Sequence, residues 1–340
     1  MLIFIMITKQ LKDTLYSVLD LASVLEGQTP ADTFVSSADL ARHVEAWGYN
    51  RYWLSEHHNI INLASAATSV IIGHIAGATH TIRVGSGGIM LPNHSPLVIA
   101  EQFGTLASLY PGRIDLGLGR APGTDQLTAI AIRGDRFAAV NNFPQDVVKL
   151  QTYFSAENSN AKVRAIPGEG LDVPIWILGS STDSAHLAAS MGLPYAFASH
   201  FAPAQFLTAI NIYRDEFKPS VHLKQPYVLS CLNVIAADTD AEAHKLATSL
   251  YQVFSSTITG KPNLLKPPID NIEEMLSGYA AEQVSQMLAC TFVGSKATVK
   301  EDMQSFLDQT QVDEIMVSAQ IYDQQAKLQS YKLFAELMRS

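Results

Sequence analysis

Ile82-Arg83-Val84-Gly85, an apolar run opened by Ser95-Pro96 and closed by Tyr110-Pro111-Gly112, and then Ile114-Asp115-Leu116-Gly117-Leu118 read as one strand–helix–strand unit. Proline suits the first helical position, where its missing N–H is not needed, and Ser95 before it supplies an N-cap. The Pro-Gly pair stops the helix and hands the chain to the next strand. The same alternation recurs on both sides. Upstream lie Leu15-Tyr16-Ser17-Val18-Leu19, a helical face on Leu40, Val44 and Trp47, the strand Tyr52-Trp53-Leu54, and a helix with Ala67, Val70, Ile71, His74, Ile75 and Ala78 on one side. Downstream, strands fall at Pro174 to Leu178, Tyr195 to Phe197, Tyr227 to Ile235 and Glu314 to Val317, and a last helix carries Tyr331, Phe334, Leu337 and Met338.

Eight strand segments, each followed by a helical one, point to a closed (β/α)8 TIM barrel, with a doubly wound sheet as the competing α/β arrangement. A length of 340 residues fits one such domain. Residues 1–13 read as an N-terminal extension and 14–340 as the barrel. The stretch from Ser255 to Thr291, with Pro262, Pro267 and Pro268, reads as an irregular insertion between the seventh helix and the eighth strand, placed to act as a lid.

Composition narrows the partners. Hydrophobic residues are 47% and charged residues 16%, so a large core is affordable and bulk disorder is excluded. The net charge of -9 and the lack of a dense basic run argue against nucleic acid. Cys231 and Cys290 form no C-x-x-C pair and no disulfide framework, which fits a reducing, cytoplasmic setting. The apolar Met1 to Ile7 lacks a basic flank and a cleavage site, and Ser69 to Ala78 is interrupted by His74, so neither reads as a leader or a membrane span.

In a parallel barrel the active site lies at the carboxyl ends of the strands. Here those ends carry Ser55-Glu56-His57-His58-Asn59, Ser86-Gly87-Gly88, Gly119-Arg120, Gly179-Ser180-Ser181-Thr182-Asp183-Ser184 and Ser199-His200. Gly179 to Ser184 leads into a helix whose free N–H groups can hold an anion, although Ser and Asp there also read as simple helix caps. Arg120 adds a forked cation for a phosphate, or pairs with a surface carboxylate. His57 is the candidate acid/base, against a histidine merely packed in the rim. Gly87-Gly88 lets the backbone approach a flat ligand, or marks a bulge. Gly117-Leu118-Gly119 is no dinucleotide fingerprint, because the third glycine is misplaced and Pro122 sits where the helix would begin. Glu56-His57-His58 lacks the spacing of an H-E-x-x-H metal site, and no metal is expected.

With these residues in place, the sequence resembles the bacterial-luciferase-like flavin monooxygenase superfamily, from about Tyr16 to Met338, and within it the compact alkanal-monooxygenase-like subgroup. The matching segments are Trp53 to His58, Arg83 to Pro92, Gly112 to Arg120, Ile177 to Ser181 with Ser184, and Phe292-Val293-Gly294-Ser295. The resemblance implies a (β/α)8 barrel that binds reduced FMN, supplied by a separate flavin reductase, and reacts it with oxygen to oxidise a small organic, aldehyde-like substrate. It also implies a homo-oligomer. Carried over by position, His57 is the catalytic acid/base. Arg120, Ser181 and Ser184 hold the phosphate, Ser180 contributes backbone, Glu56 and Ser86 support the cofactor, and His200 lies beside the ring. Gly87-Gly88 matches the family's non-prolyl cis peptide under the flavin. Where luciferase α chains carry a cysteine, a glutamate and a tryptophan, this chain has Gly119, Ser180 and His200, so light emission is not implied. A deazaflavin-dependent hydride-transfer enzyme and a non-catalytic flavin-storage protein are the competing functions.

Overall fold

The computed structural model describes residues 9–134, 136–272, 276 and 278–340, with the side chains of 136–138 left aside. Most of the N-terminal extension, including Met1 to Ile7, lies outside the described residues. The strands are β1 (Leu15–Asp20), β2 (Arg51–Leu54), β3 (Arg83–Met90), β4 (Ile114–Gly119), β5 (Ile175–Gly179), β6 (Tyr195–Phe197), β7 (Val228–Ala237), β8 (Thr291–Ser295) and β9 (Glu314–Ser318). The helices are α1 (Pro30–Ala46), α2 (Thr68–Ala78), α3 (Pro96–Leu109), α4 (Gln126–Ile132), α5 (Arg136–Asn141), α6 (Phe143–Phe154), α7 (Thr182–Met191), α8 (Phe206–Glu216), α9 (Asp240–Ile258), α10 (Gly278–Met287), α11 (Lys296–Thr310) and α12 (Gln324–Met338).

β1 to β7 and β9 close a parallel barrel: β1 pairs with both β2 and β9, and β7 pairs with both β6 and β9. The eight strand segments read from the sequence are its staves. β8 is a ninth strand outside the ring. It exists because β7 is ten residues long, about 33 Å of extended chain, and serves two partners in succession. Leu229 to Asn233 pairs with β9, and Asn233 to Ala237 then pairs with Thr291 to Ser295.

Side chains alternate between the two faces of each stave. On β2, Tyr52 and Leu54 join the apolar layer under the helices, whereas Arg51 and Trp53 turn into the barrel. Trp53 packs there edge-on against Trp176 at 5.1 Å, with Leu19, Ala196, Leu229, Cys231 and Met316. Below this layer an ionic floor seals the amino-terminal end. The buried Arg51 donates to Asp115 Oδ2 at 2.7 Å and to Glu314 Oε1 at 2.8 Å. Arg83 pairs with the other oxygen of Asp115, and Tyr227 donates to Glu314 Oε2 at 2.8 Å. Burial disfavours the Arg51 charge, but Glu314 and Asp115 outweigh it and hold the guanidinium above its ordinary pKa.

Two local expectations are corrected. Ser95 occupies the N-cap position of α3 in extended backbone, yet its side chain makes no capping bond; Pro96 alone starts the helix. The stretch 255–291 is also less irregular than its prolines imply, because α9 continues to Ile258 and α10 occupies Gly278–Met287. Between them the buried Leu265 bridges to the loop after β1, accepting from Glu26 N at 2.8 Å and donating to Val24 O at 3.0 Å. That loop leaves the carboxyl end of β1, so the segment is tied to the same end of the barrel as the strand-end residues.

Candidate active site

Strand β3 slips where it borders β4: Ser86 faces Leu116 and Ile89 faces Leu118, so Gly87 and Gly88 stand against Gly117 alone. The Gly87–Gly88 peptide is cis. Ser86 repairs the broken ladder, donating its hydroxyl to Gly117 O at 2.9 Å and accepting from Gly117 N at 3.0 Å. A Cβ on Gly117 would lie 2.2 Å from Ser86 O, which explains glycine there.

Glu56, at the end of β2, is a buried hub. Its carboxylate accepts from His58 Nε2 at 2.8 Å, His94 Nε2 at 2.9 Å, Met90 N at 2.9 Å and Asn93 Nδ2 at 3.1 Å. A carboxylate only accepts, so both rings turn an N–H toward it. Burial raises its pKa, but the hydrogen bonds from His58 and His94 prevail and carry it down to about 2. Glu56 thereby clamps the β2 loop to the β3 loop, and the partners His94, Asn93 and Met90 were not read as functional from sequence.

His57, one residue on, turns the other way. Its Nδ1 lies 3.1 Å from Ser55 Oγ, and Nε2 has no hydrogen-bond partner among the described residues. Burial, opposed by the Glu56 charge, lowers its pKa to about 4. His200 beyond β6 is buried, and its Nδ1 has no partner among the described residues. Burial first, and repulsion from His57 second, lower its pKa to about 3. The His57 ring at the end of β2 therefore lies within electrostatic reach of His200 beyond β6, and both are neutral at pH 7.

The β5 end and β4 end also meet. Arg120 Nη2 donates to Asp183 Oδ2 at 3.0 Å, between two exposed side chains, so the arginine stands at the first turn of α7. Ser181 is the N-cap of α7 but its hydroxyl makes no capping bond. Ser184 is already engaged, donating to Ser181 O at 2.7 Å and sharing a 2.9 Å bond with Tyr195 Oη. Gly179 makes room for it, since a Cβ there would meet Ser184 Oγ at 1.9 Å. Ser180 is half-buried beside it. Gln205, which the sequence reading missed, accepts from Thr182 N at 3.3 Å and so occupies one amide of the α7 start.

Two hollows lie elsewhere. One of about 20 Å³, enough for a single water, is lined by Asp20, Gln320 and Lys327; the other is an open groove of about 670 Å³ beside Phe206, Phe292 and Phe306. Among the described residues no three His, Cys, Asp or Glu gather as a metal site, and no helix is long and apolar enough to cross a membrane.

The family model described as luciferase-like monooxygenase matches residues 16–314. The chain is 53% identical over 336 residues to the uncharacterized protein YvbT of Bacillus subtilis (strain 168), covering 98% of this chain and 100% of that one. It is 52% identical over 322 residues to a luciferase-like monooxygenase of Escherichia coli (strain K12), covering 95% and 96%. The solved structure of apo-MsnO8 matches with a TM-score of 0.88 at 35% identity, over 95% of this chain and 98% of that chain.

Proposed function

Since the chain belongs to the luciferase-like monooxygenase family, we propose that it is an FMN-dependent monooxygenase acting on a small, fairly apolar organic substrate, with electrons delivered as reduced flavin by a separate reductase. The observation that carries the reading is the placement of Arg120 at the first turn of α7, where Ser181 leaves its own hydroxyl uncommitted. Arg120 is paired there with the exposed Asp183, the alternative its sequence position left open; in this reading it exchanges that carboxylate for the phosphate of FMN, an anion that the start of a helix suits.

The residues present fit this group. His200 Nδ1 is a buried polar atom without a partner among the described residues, and such an atom costs free energy until something bonds to it. In this reading Arg120, the Ser181 hydroxyl and the free α7 amides hold the phosphate, with Ser180 contributing backbone. The Gly87–Gly88 backbone and His200 hold the ring, while Glu56, Ser86 and Ser184 keep the surrounding loops in position through their own hydrogen bonds. Bound reduced FMN supplies the electrons for oxygen activation. His57 meets the reacting oxygen through Nε2, the ring nitrogen that no group engages among the described residues. The apolar wall of Leu19, Trp53 and Trp176 beneath excludes water from that region.

The test is to mix the anaerobic protein–reduced FMN complex with oxygenated buffer and follow flavin absorbance by stopped flow. An oxygen-dependent transient whose decay changes on adding an aldehyde or another oxidisable substrate is expected. No transient, together with tight binding of a reduced deazaflavin, would move the assignment to hydride transfer. Tight FMN binding with no substrate response across a broad panel would indicate storage.

A further inference from the structure

His57 is backed by two hydroxyls in series. Ser55 Oγ lies 3.1 Å from His57 Nδ1 and 3.1 Å from Ser65 Oγ. Both serines are buried, at 2% and 0% exposure, and neither hydroxyl has another partner among the described residues. The Thr68 hydroxyl ties the two together, donating to Ser55 O and Ser65 O at 3.0 Å each, where α2 begins. The pair is thus a fixed part of the β2–α2 loop, reached by no solvent.

Counting protons along the chain gives it a direction. Each hydroxyl carries one proton and two lone pairs, and a neutral imidazole carries one N–H and one lone pair. If His57 donated from Nδ1, Ser55 would pass its proton to Ser65, and the Ser65 proton would end in dry protein with no acceptor. If Ser65 donates to Ser55 and Ser55 donates to Nδ1, every buried proton has an acceptor. The one N–H left over is then at Nε2, on the partly exposed side of the ring, where a ligand or solvent can meet it. A buried donor without an acceptor is the costlier fault, so the second arrangement prevails.

We infer that Ser55 and Ser65 are positioning residues that hold His57 as the neutral Nε2–H tautomer, so that it presents a hydrogen-bond donor to the reacting oxygen. The depressed pKa of His57 agrees, since it keeps the ring neutral. This sharpens the role given above, on which its catalytic meaning rests. A neutral imidazole gives up its last proton only with great difficulty, so His57 stabilises negative charge on oxygen by donation and does not transfer a proton outright.

The experiment uses histidine labelled with 15N and long-range 1H–15N correlation spectra of the flavin-free protein, with His57→Gln to assign the signals. The parent protein should show His57 as Nε2–H, with its Nδ1 signal displaced upfield by accepting a hydrogen bond. In Ser55→Ala that displacement should be lost; in Ser55→Thr, which keeps the hydroxyl, it should return. A parent spectrum of the Nδ1–H form, or an Nδ1 signal unmoved by Ser55→Ala, would overturn the inference. In turnover, Ser55→Ala should slow oxidation with FMN affinity unchanged, and Ser55→Ala/His57→Gln should be no slower than His57→Gln alone; full additivity would count against it. The spectra need no flavin, so a protein that passes them and fails to bind or use FMN would refute the proposed function and leave the tautomer standing.

Discussion

Removing the Arg51 side chain should be the most damaging single change to the barrel that leaves the strand-end site untouched. Its guanidinium sits between two carboxylates with no solvent exposure, Asp115 at 2.7 Å and Glu314 at 2.8 Å, and stacks over Trp176 at 4.7 Å. In Arg51→Ala, Asp115 keeps Arg83 and Trp53 as partners. Among the described residues Glu314 keeps only the neutral donors Ser17, Asn50 and Tyr227. Breaking a buried ion pair from one side costs about 3–5 kcal/mol, a large part of a total stability of roughly 5–15 kcal/mol. The stranded charge on Glu314 is the main cause, so Arg51→Ala/Glu314→Gln should recover at least ~1 kcal/mol relative to Arg51→Ala, whereas Glu314→Gln alone should destabilise the parent. Urea unfolding followed by tryptophan fluorescence reads this directly, because Trp53 and Trp176 lie on the same floor. A cost below ~1 kcal/mol for Arg51→Ala, or the same penalty for Glu314→Gln in both backgrounds, would refute the account of the floor.

Arg120→Ala should remove most of the preference for reduced FMN over reduced riboflavin in anaerobic titrations; a charge-assisted bond of ~1.5–3 kcal/mol corresponds to about 10- to 150-fold, and equal affinity of the parent for both flavins would dismiss the phosphate site. His57→Ala should slow substrate oxidation about 10²–10³-fold while FMN affinity holds, and parental turnover would make His57 a packing residue. Burial holds His57 and His200 at about 4 and about 3, below the 6.5 of an exposed histidine. Between pH 6.5 and 4 the unfolded chain therefore binds protons that the folded one does not, and stability should fall as pH drops through that window; His57→Gln/His200→Gln should flatten this limb in urea titrations against pH. Cleavage by a broad-specificity protease within 259–272 should slow when FMN and a substrate analogue are both bound, and unchanged cleavage would remove the lid role from that segment.

The staves were legible because each is a short apolar run between turn signals, and the alternation of strand and helix counts itself. β8 was not: Phe292-Val293-Gly294 carries no more strand character than many loops, and only the length of β7 gives it a partner. At the candidate site the sequence indicates which strand ends carry polar residues, but not which of those residues the fold already engages. Arg120 and α7 meet, and His57 lies within electrostatic reach of His200. Which hydroxyl is free is a matter of tertiary contacts. Ser184 is consumed by Ser181 and by Tyr195, 11 residues away in the chain, and Ser86 by Gly117, 31 residues away. Ser65 and Gln205 carry no motif at all, and only folding brings them to Ser55 and Thr182.

The doubly used β7 separates what the barrel needs from what its mouth can vary. The chain leaves the outer half of β7 at Ala237 and returns to that same half at Thr291–Ser295, where Asp240 Oδ1 clasps Ser295 N at 2.6 Å and Thr298 Oγ1 at 2.8 Å. Departure and re-entry therefore share one anchorage, and the inner half of β7, up to Asn233, closes on β9 regardless of what hangs between. Changing the length of such a loop costs little, since closure entropy grows only logarithmically. A length change confined to 259–264, short of the Leu265 tie to the loop after β1, should therefore leave the staves and the floor as they are.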